Sequence, residues 1–288
     1  DNHPWRGWMD LFPETIKLSL SKKTGYSMAN RPLGYRGQKF DRVCFQKRLR
    51  DSYELNQPLT TLNNARLMEI PFKKAQRFIH KYEWLGTMGT TKFSVGLFVD
   101  AELVGVGCFG LTAGTGALSE PFGEDYANKG IVLVRGACAP FAHPHTASYL
   151  IGQAKKELAR RGYLFCIAYS DPEAGEIGTI YQATNWKFYG FTSSVNYLIR
   201  PDGKRVDPKI IHKYAKKQSI TSAEQKQIFI DDGYTFEKGG RKLKYIMMMG
   251  NRKQRKDMLR HKKIEFFPYM KREVGMENLY NKFLESNK

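Results

Sequence analysis

The order of apolar patterns between residues 71 and 199 constrains the fold more than any other feature of this chain. Apolar residues at helical spacing in PFKKAQRFIHKY predict a helix over 71–82, and alternation in KFSVGLFVD and LVGVGCFGL predicts a hairpin over 92–111. The elements predicted next are a strand, a helix, a strand, a short helix and a strand, over residues 131–139, 146–162, 163–171, 179–185 and 187–199. A hairpin joined to strands that alternate with helices indicates a mixed sheet covered by helices.

Both ends of the chain extend beyond this predicted α/β core. Residues 1–65 are rich in Pro, Gly and Asn and include a basic run with aromatic residues, RGQKFDRVCFQKRLR. The C-terminal part contains a strand-like run, KLKYIMMMG, a basic helical segment, NRKQRKDMLRHKK, and an extended end, FFPYMKR. We therefore predict a basic N-terminal extension over 1–65, a core over 66–200 and a basic C-terminal extension packed on the core over 201–288.

The positive charge is concentrated near the two ends. The net charge is +19, and residues 1–50 hold 11 Lys/Arg against 4 Asp/Glu, while residues 204–263 hold 18 against 6. Residues 51–203 hold 14 of each and are neutral. Basic segments with interleaved aromatic residues favour a polyanion partner, because lysine and arginine release counterions from nucleic acid when they bind it. A basic surface that only keeps the protein soluble is the alternative.

Composition excludes several other classes. The chain has no apolar run of about 18 residues, so we expect no membrane span, and its first residues, DNHPWRGW, lack the pattern of a signal peptide. The cysteines form no CxxC pair and indicate buried thiols in a reducing, cytoplasmic setting; they are Cys44, Cys108, Cys138 and Cys166. The spacing GVGCFG at 105–110 lies inside a predicted strand, which argues against a dinucleotide-binding loop.

The stretch AYSDPEAGEIGTIYQATNWKFYG, residues 168–190, has the layout of a group-transfer site. Asp171 ends an apolar strand, a turn containing glycine follows, and Tyr181 lies on a short helix before the next strand. A carboxylate can take a proton and a tyrosine hydroxyl can return one when rigid elements hold both. Capping of the strand end by Asp171 and core packing of Tyr181 are the alternatives.

The element order of 71–197 resembles the GNAT acetyltransferase superfamily. In that fold two central strands splay apart, and the pyrophosphate of an acyl-CoA donor lies on a glycine-rich loop where the helix after the fourth strand begins. The corresponding residues here, AHPHTA, contain no glycine, which argues against acyl-CoA as the cofactor and leaves the group donor open. His143, His145 and Thr146 are candidate donor-binding residues, because a helix start can bind an anion; histidines without a role are the alternative. Thr146 is also expected to cap this helix, and Gly162 to end it.

Residues 169–190 resemble the signature of the Mom family of phage DNA-modification proteins. Arg135 in the preceding strand, HKYEW at 80–84 and the basic tail before Pro268-Tyr269 extend the resemblance over roughly residues 68–270. The resemblance implies a GNAT-like fold with a splayed central sheet. It also implies a transferase that takes a small-molecule group donor and adds a carbamoylmethyl-type group to the N6 amine of adenine in double-stranded DNA. That activity would protect phage DNA from restriction in the host bacterial cytoplasm.

Under this interpretation Asp171, Tyr181 and Arg135 are the candidate catalytic residues. Asp171 would accept the amine N–H, Tyr181 would protonate a leaving group or orient the donor, and Arg135 would stabilise negative charge on the donor. The candidate substrate-binding residues are His80, Tyr82, Trp84, Tyr169, Ser170, Thr179, Gln182, Asn185 and Trp186. The candidate nucleic-acid-binding residues are Arg36, Lys39, Arg42, Lys47, Arg48, Lys204, Arg205, Arg241, Lys242, Arg252, Lys253, Arg255 and Lys256.

Several points stay open at this stage. Tyr82, Trp186 and Tyr189 fit core packing as well as a binding pocket, and a surface ion pair is the alternative for Arg135. A GNAT N-acetyltransferase that uses acetyl-CoA on an RNA or protein amine is one other function, and a non-catalytic nucleic-acid-binding protein on the same fold is another. Charge alone does not separate DNA from RNA, and the sequence assigns no metal.

Overall fold

The strands and helices of the structure fall into two units. The computed structural model describes residues 61–83, 88–111, 116–172, 176–194, 196–203, 205–206 and 208–270. We call Thr192–Lys242 together with residues 171–172 the small unit, and the remaining described residues the large unit. The predicted division of the chain after residues 65 and 200 stays a prediction.

The described elements alternate between strands and helices for most of their length. In chain order they are β1 (Arg66–Ile70), α1 (Phe72–Tyr82), β2 (Thr91–Val99), β3 (Glu102–Gly110), α2 (Glu124–Ala127), β4 (Gly130–Cys138), α3 (Thr146–Arg160), β5 (Phe165–Ser170), α4 (Thr179–Ala183), β6 (Lys187–Phe191), β7 (Asn196–Ile199), β8 (Arg205–Val206), α5 (Lys209–Gln218), α6 (Ser222–Asp231), β9 (Thr235–Lys238), β10 (Leu243–Met248) and α7 (Arg252–Arg260). The elements β7, β8, α5, α6 and β9 belong to the small unit.

A seven-stranded mixed sheet organises the large unit. Its strand order is β1-β2-β3-β4-β5-β10-β6. The pair β4–β5 is parallel, whereas the other neighbours are antiparallel. Helices α1 and α3 pack against the sheet, each contacting β3 and β4. The predicted fold class is confirmed as a mixed α/β sheet flanked by helices.

Local sequence accounts for several of these elements. Helix α1 buries Ala75, Phe78, Ile79 and Tyr82, which lie on one face at helical spacing. The predicted hairpin is β2–β3, and its two turn residues have positive φ, 47° at Asp100 and 73° at Ala101, as a tight hairpin turn requires. The segment GVGCFG lies within β3, as predicted.

Helix α3 ends as predicted but begins differently. Gly162 has a φ of 87°, and Tyr163 N–H closes the helix end by donating to the Leu158 carbonyl at 3.1 Å. Thr146 does not cap the start, so that prediction is wrong. Thr146 is the first helical residue, and its hydroxyl donates to the His143 carbonyl at 2.6 Å instead of accepting an amide.

The strand predicted over 187–199 is divided between two sheets. Residues Lys187–Phe191 form β6, which pairs with β10 in the large sheet. Residues Asn196–Ile199 form β7, which pairs with β8 and β9 in a three-stranded sheet of the small unit. The chain therefore leaves the large sheet after β6 and returns to it at β10, whose Leu243 is the register partner of Phe191.

The core of the large unit lies under β5 and β10. Phe165 and Ile167 of β5 and Ile246 of β10 are fully buried, together with Met258 of α7 and Phe122 of the segment before α2. The Phe122 and Phe165 rings meet edge to face at 5.1 Å between centroids. This packing fixes β5, the strand that leads to Asp171.

Candidate active site

Two central strands separate part-way along the sheet. β4 and β5 pair only at Gly130–Phe165, Ile131–Cys166 and Val132–Ile167. Beyond these pairs β4 continues to Cys138 along β3, and β5 continues to Ser170 along β10. The backbone edges of residues 133–138 and 168–170 therefore face an opening in the sheet, as the predicted splay requires.

Arg135 lies on the part of β4 that borders this opening. It is half-buried and opposite Cys108 of β3 in the strand register. Its Nη1 donates to the Val134 carbonyl at 2.6 Å. A Cβ at Gly89 would lie 3.9 Å from that Nη1, so the segment before β2 passes close to the guanidinium. The guanidinium of Arg135 therefore has a backbone partner on β4, next to the opening.

Glu83 is a further candidate that the sequence analysis missed. It follows α1 directly and is only 8% exposed. Burial raises the pKa of the Cys108 thiol to about 11, while Arg135 opposes this rise and Glu83 adds to it. Both charges therefore act on one thiol, which also accepts a 3.4 Å hydrogen bond from the Ser94 hydroxyl.

A sequence signal for Glu83 existed. A carboxylate at the C-terminal end of a helix is disfavoured by the helix dipole and by burial, so its presence in HKYEW indicates a specific partner or role. The sequence analysis instead chose the histidine and the aromatic residues of this stretch as candidate substrate-binding residues. His80 is half-buried on α1, and Trp84 lies outside the described residues. Tyr82 is buried against Phe78, with 4.6 Å between ring centroids.

The short helix α4 carries Tyr181 in an aromatic cluster. The Tyr181 ring is half-buried and lies 5.0 Å from the Trp186 ring and 5.3 Å from the Tyr245 ring, between centroids. Trp186 is 1% exposed, and its carbonyl accepts a 2.6 Å hydrogen bond from the Tyr269 hydroxyl. Trp186 is therefore a core side chain that fixes α4 and the strand after it.

Polar contacts hold the two ends of α4. The two N–H groups of Gln182 Nε2 are shared among three acceptors, the Ile177 carbonyl at 2.9 Å, the Tyr245 hydroxyl at 3.1 Å and the Met270 carbonyl at 3.2 Å. The Tyr245 hydroxyl in turn donates to the Ile177 carbonyl at 2.6 Å. These bonds give Gln182 a positioning role. Thr179 and Asn185 are exposed at either end of the helix.

The end of β5, beyond its pairing with β4, carries two polar side chains. Tyr169 is half-buried, and burial raises its pKa to about 12, with a smaller contribution from the charge of Glu120. The Ser170 hydroxyl is buried and has no hydrogen-bond partner among the described residues. On the adjacent β10, Lys244 is buried, pairs with Glu120 and lies 4.8 Å above the Tyr189 ring.

Asp171 follows Ser170 and is 8% exposed. Within the small unit, Lys242 Nζ lies 3.8 Å from its Oδ2. Thr192 joins the same region, because its carbonyl accepts a 2.6 Å hydrogen bond from Arg241 Nε and its amide donates to the Lys242 carbonyl at 2.9 Å. Asp171 is therefore an ion-paired carboxylate, and both Arg241 and Lys242, predicted to bind nucleic acid, have intramolecular partners.

The start of α3 brings its predicted histidines together. The His143 and His145 rings lie 5.3 Å apart, and His143 Nδ1 accepts a 3.1 Å hydrogen bond from the His145 amide. His145 is exposed, His143 is half-buried and Thr146 is buried. These contacts order the loop before α3 without glycine.

Comparison with known protein families tests the resemblance to the Mom family. The sequence matches the Mom protein family over residues 64–269, more than half of its length. This chain belongs to the Mom protein family. Among curated proteins, none matches it significantly.

Similarity of this Mom-family chain to solved structures is remote. The ribosomal-protein-S18-alanine N-acetyltransferase from Escherichia coli is 9% identical, with 65% of this chain and 95% of that chain covered and a TM-score of 0.35. The IAA acetyltransferase from Bacillus cereus is also 9% identical, with 64% and 99% covered and a TM-score of 0.32. The PaiA N-acetyltransferase from Thermoplasma acidophilum, in complex with coenzyme A, is 21% identical, with 34% and 50% covered and a TM-score of 0.23.

The predicted nucleic-acid-binding residues are described only in part. Arg252, Lys253, Arg255 and Lys256 are exposed on α7, whose start is capped by Asn251. The backbone of Arg205 belongs to β8. The residues outside the described ranges are Arg36, Lys39, Arg42, Lys47, Arg48 and Lys204.

Metal binding and membrane crossing need side-chain groups or helices of a particular kind. In the ranges that the structure describes, no group of three or more His, Cys, Asp or Glu side chains is arranged to hold a metal ion. Across the same part of the chain, no helix combines the length and the apolar character that a membrane crossing needs.

Proposed function

We propose that this GNAT-like member of the Mom family is a transferase that adds a small carbamoylmethyl-type group to the N6 amine of adenine in DNA. The family match over residues 64–269 carries the proposal. The opening between β4 and β5 supports it, because a donor can reach the centre of the sheet only where the strands do not pair. The modified DNA would resist restriction, and the protein would act in the cytoplasm of the bacterium that a phage infects.

The chemistry asks for three roles. The lone pair of the adenine amine is delocalised into the ring, so the nitrogen attacks well only when a base accepts its proton. Asp171 takes this proton while the nitrogen bonds to the donor carbon, and the bond from that carbon to its leaving group breaks. Tyr181 gives a proton to the departing group, and Arg135 stabilises the negative charge that develops on the donor.

Adenine must leave the duplex to be modified. Enzymes that act on a base inside a duplex extrude it into a pocket at a cost of a few kcal/mol. Positive charge near both ends of the chain supplies the phosphate contacts that this requires. Trp186 is fully buried, so it does not stack on the extruded base. A half-buried or exposed aromatic residue takes that role.

Nucleoside mass spectrometry on DNA and RNA from bacteria that express the protein tests the proposal. A heavier deoxyadenosine is expected with the wild type and not with Asp171→Asn, which keeps the side-chain shape but cannot accept a proton. Asp232→Asn is the matched control, because Asp232 is an exposed carboxylate of the small unit. Tyr181→Phe should slow the modification while leaving DNA affinity intact.

The other functions predict different results. A modified RNA nucleoside with unchanged DNA would move the substrate to RNA. Acetylated protein without a changed nucleoside would favour an acetyltransferase that acts on protein. If Asp171→Asn modified DNA as well as the wild type, the role given to Asp171 would be wrong.

A further inference from the structure

Helix α5 of the small unit presents lysines on one exposed face. Lys213, Lys216 and Lys217 are exposed and are spaced at i, i+3 and i+4, so they lie on one side of the helix. The sequence of α5, KIIHKYAKKQ, contains no acidic residue. None of these lysines is among the residues predicted from sequence to bind nucleic acid.

This arrangement is unfavourable for an isolated protein. Like charges at i, i+3 or i, i+4 on a helix destabilise it by roughly 0.2–0.5 kcal/mol per pair. Among the described residues, no acidic side chain pairs with Lys213, Lys216 or Lys217. The helix dipole stabilises Lys216 and Lys217, which lie in the last turn, but it gives nothing to Lys213, near the middle of the helix. A polyanion would satisfy all three.

An aromatic side chain lies among the lysines. Tyr214 is 45% exposed, although one edge of its ring packs on Phe229 at 5.8 Å between centroids. The Phe229 ring in turn contacts the Tyr234 ring, with 4.9 Å between centroids. The buried side of the Tyr214 ring therefore packs on an aromatic cluster. The side chains of Lys213, Tyr214, Lys216 and Lys217 line an open recess of about 520 Å³. A fixed ring among ammonium groups is the combination that contacts both the sugar or base and the phosphates of a nucleic acid.

We propose that this face of α5, formed by Lys213, Tyr214, Lys216 and Lys217, binds the phosphate backbone of the DNA substrate. The identification of the nucleic acid as DNA rests on the proposed function, whereas the charge and shape of the face do not. The small unit is then a module that binds DNA, and most of it lies in the chain between β6 and β10. Its lysines contact phosphates without reading sequence, and Tyr214 packs on the adjacent nucleotide.

The salt dependence of duplex binding measures these contacts. For B-DNA the slope of log K against log salt is about −0.9 per neutralised phosphate, so the loss of three contacts should make the slope shallower by about 2 to 3. We would measure anisotropy of a labelled duplex over a potassium chloride series, with the wild type and Lys213→Ala/Lys216→Ala/Lys217→Ala. The matched control removes three exposed lysines of the large unit, Lys73, Lys156 and Lys187.

The proposal requires a shallower slope in the α5 variant and an unchanged slope in the control. The triple Lys→Arg variant of the same positions keeps the charge and should bind like the wild type, which separates phosphate contact from misfolding. Tyr214→Ala should weaken binding at every salt concentration and leave the slope as it is. An α5 variant with the slope of the wild type overturns the proposal, as does one that loses binding to vesicles of anionic phospholipid but keeps its DNA slope.

Nucleoside mass spectrometry separates this proposal from the proposed function. A slope that depends on α5, found with a wild type that modifies no adenine, would leave the surface standing and remove the activity. If the wild type modified adenine and the salt slope were the same in the α5 variant, the activity would stand and the proposed binding face would be wrong. The α5 variant should also modify DNA poorly at 200 mM salt and recover at low salt, where the remaining basic residues suffice.

Discussion

Replacement of Gly178 by alanine tests whether close contact with Tyr245 positions the helix that carries Tyr181. Gly178 has a φ of 74°, a conformation that costs an L-residue about 1–2 kcal/mol. A Cβ at this position would lie 2.4 Å from Tyr245 Cε2 and 2.6 Å from Cζ. Tyr245 cannot retreat easily, because it is fully buried and its hydroxyl is bonded to the Ile177 carbonyl.

The expected loss of unfolding free energy is the sum of two effects. Overpacking of a filled core costs about 1–3 kcal/mol, so strain and overlap together should destabilise Gly178→Ala by about 2–5 kcal/mol. Gly162→Ala isolates the strain, because Gly162 has a φ of 87° and a Cβ there would meet no atom within 4 Å; it should lose about 1–2 kcal/mol. Gly152→Ala lies in α3 with the same open surroundings and should gain about 0.5–1 kcal/mol.

Urea unfolding of the three variants at 25 °C is the assay, followed by both far-ultraviolet circular dichroism and tryptophan fluorescence. The free energies are comparable only where the two transitions coincide. If Gly178→Ala lost no more stability than Gly162→Ala, the contact with Tyr245 would not position α4, and the reasoning would fail. A displaced α4 should also lower adenine modification at temperatures where the variant is still folded.

Three further predictions concern other side chains of the large unit. Hydrogen bonds from Arg160 and Arg161 hold the pKa of Glu157 at about 2, below its usual value; the stability that it contributes is complete above about pH 4.5 and is lost as the pH falls toward 2. The unfolding free energy of the wild type should therefore fall more steeply between pH 5 and pH 3 than that of Glu157→Gln, and parallel curves would contradict this. Tyr189→Phe removes a buried hydroxyl without a partner among the described residues, so urea unfolding should show unchanged or slightly higher stability. Burial raises the pKa of the Cys108 and Cys166 thiols, so mass-spectrometric mapping after brief thiol labelling at pH 8 should find these two residues modified only after denaturation.

The sequence predicted those elements that reveal themselves locally. The helix at Phe72–Tyr82 and the hairpin of β2 and β3 were recognisable because the spacing of apolar residues shows which side faces a core, whatever that core contains. The splay between β4 and β5 came from family resemblance, since no local pattern says where two parallel strands stop pairing. The candidate catalytic roles stay predictions.

Non-local pairing accounts for what the sequence analysis missed. The residues of β6 and β7 are equally strand-like, and only their partners, β10 and β9, assign them to different sheets. The ion pair between Lys242 and Asp171 joins residues about 70 positions apart, so neither charge pattern indicates it. Thr146 has the residue type of a helix cap, but the chain enters α3 one residue too early for its hydroxyl to accept an amide.

The segment between β6 and β10, which holds the strands and helices of the small unit, is an exchangeable insertion. The chain departs at Thr192 and returns at Lys242, and hydrogen bonds of 2.9 Å and 3.0 Å join those two residues. The ends of the inserted segment are therefore already as close as the two arms of a hairpin, and a two-residue turn could replace everything between them while Phe191 and Leu243 stay in register. Evolution, or a protein engineer, could replace the segment between Thr192 and Lys242 with another one, and the seven-stranded sheet would keep its strand order.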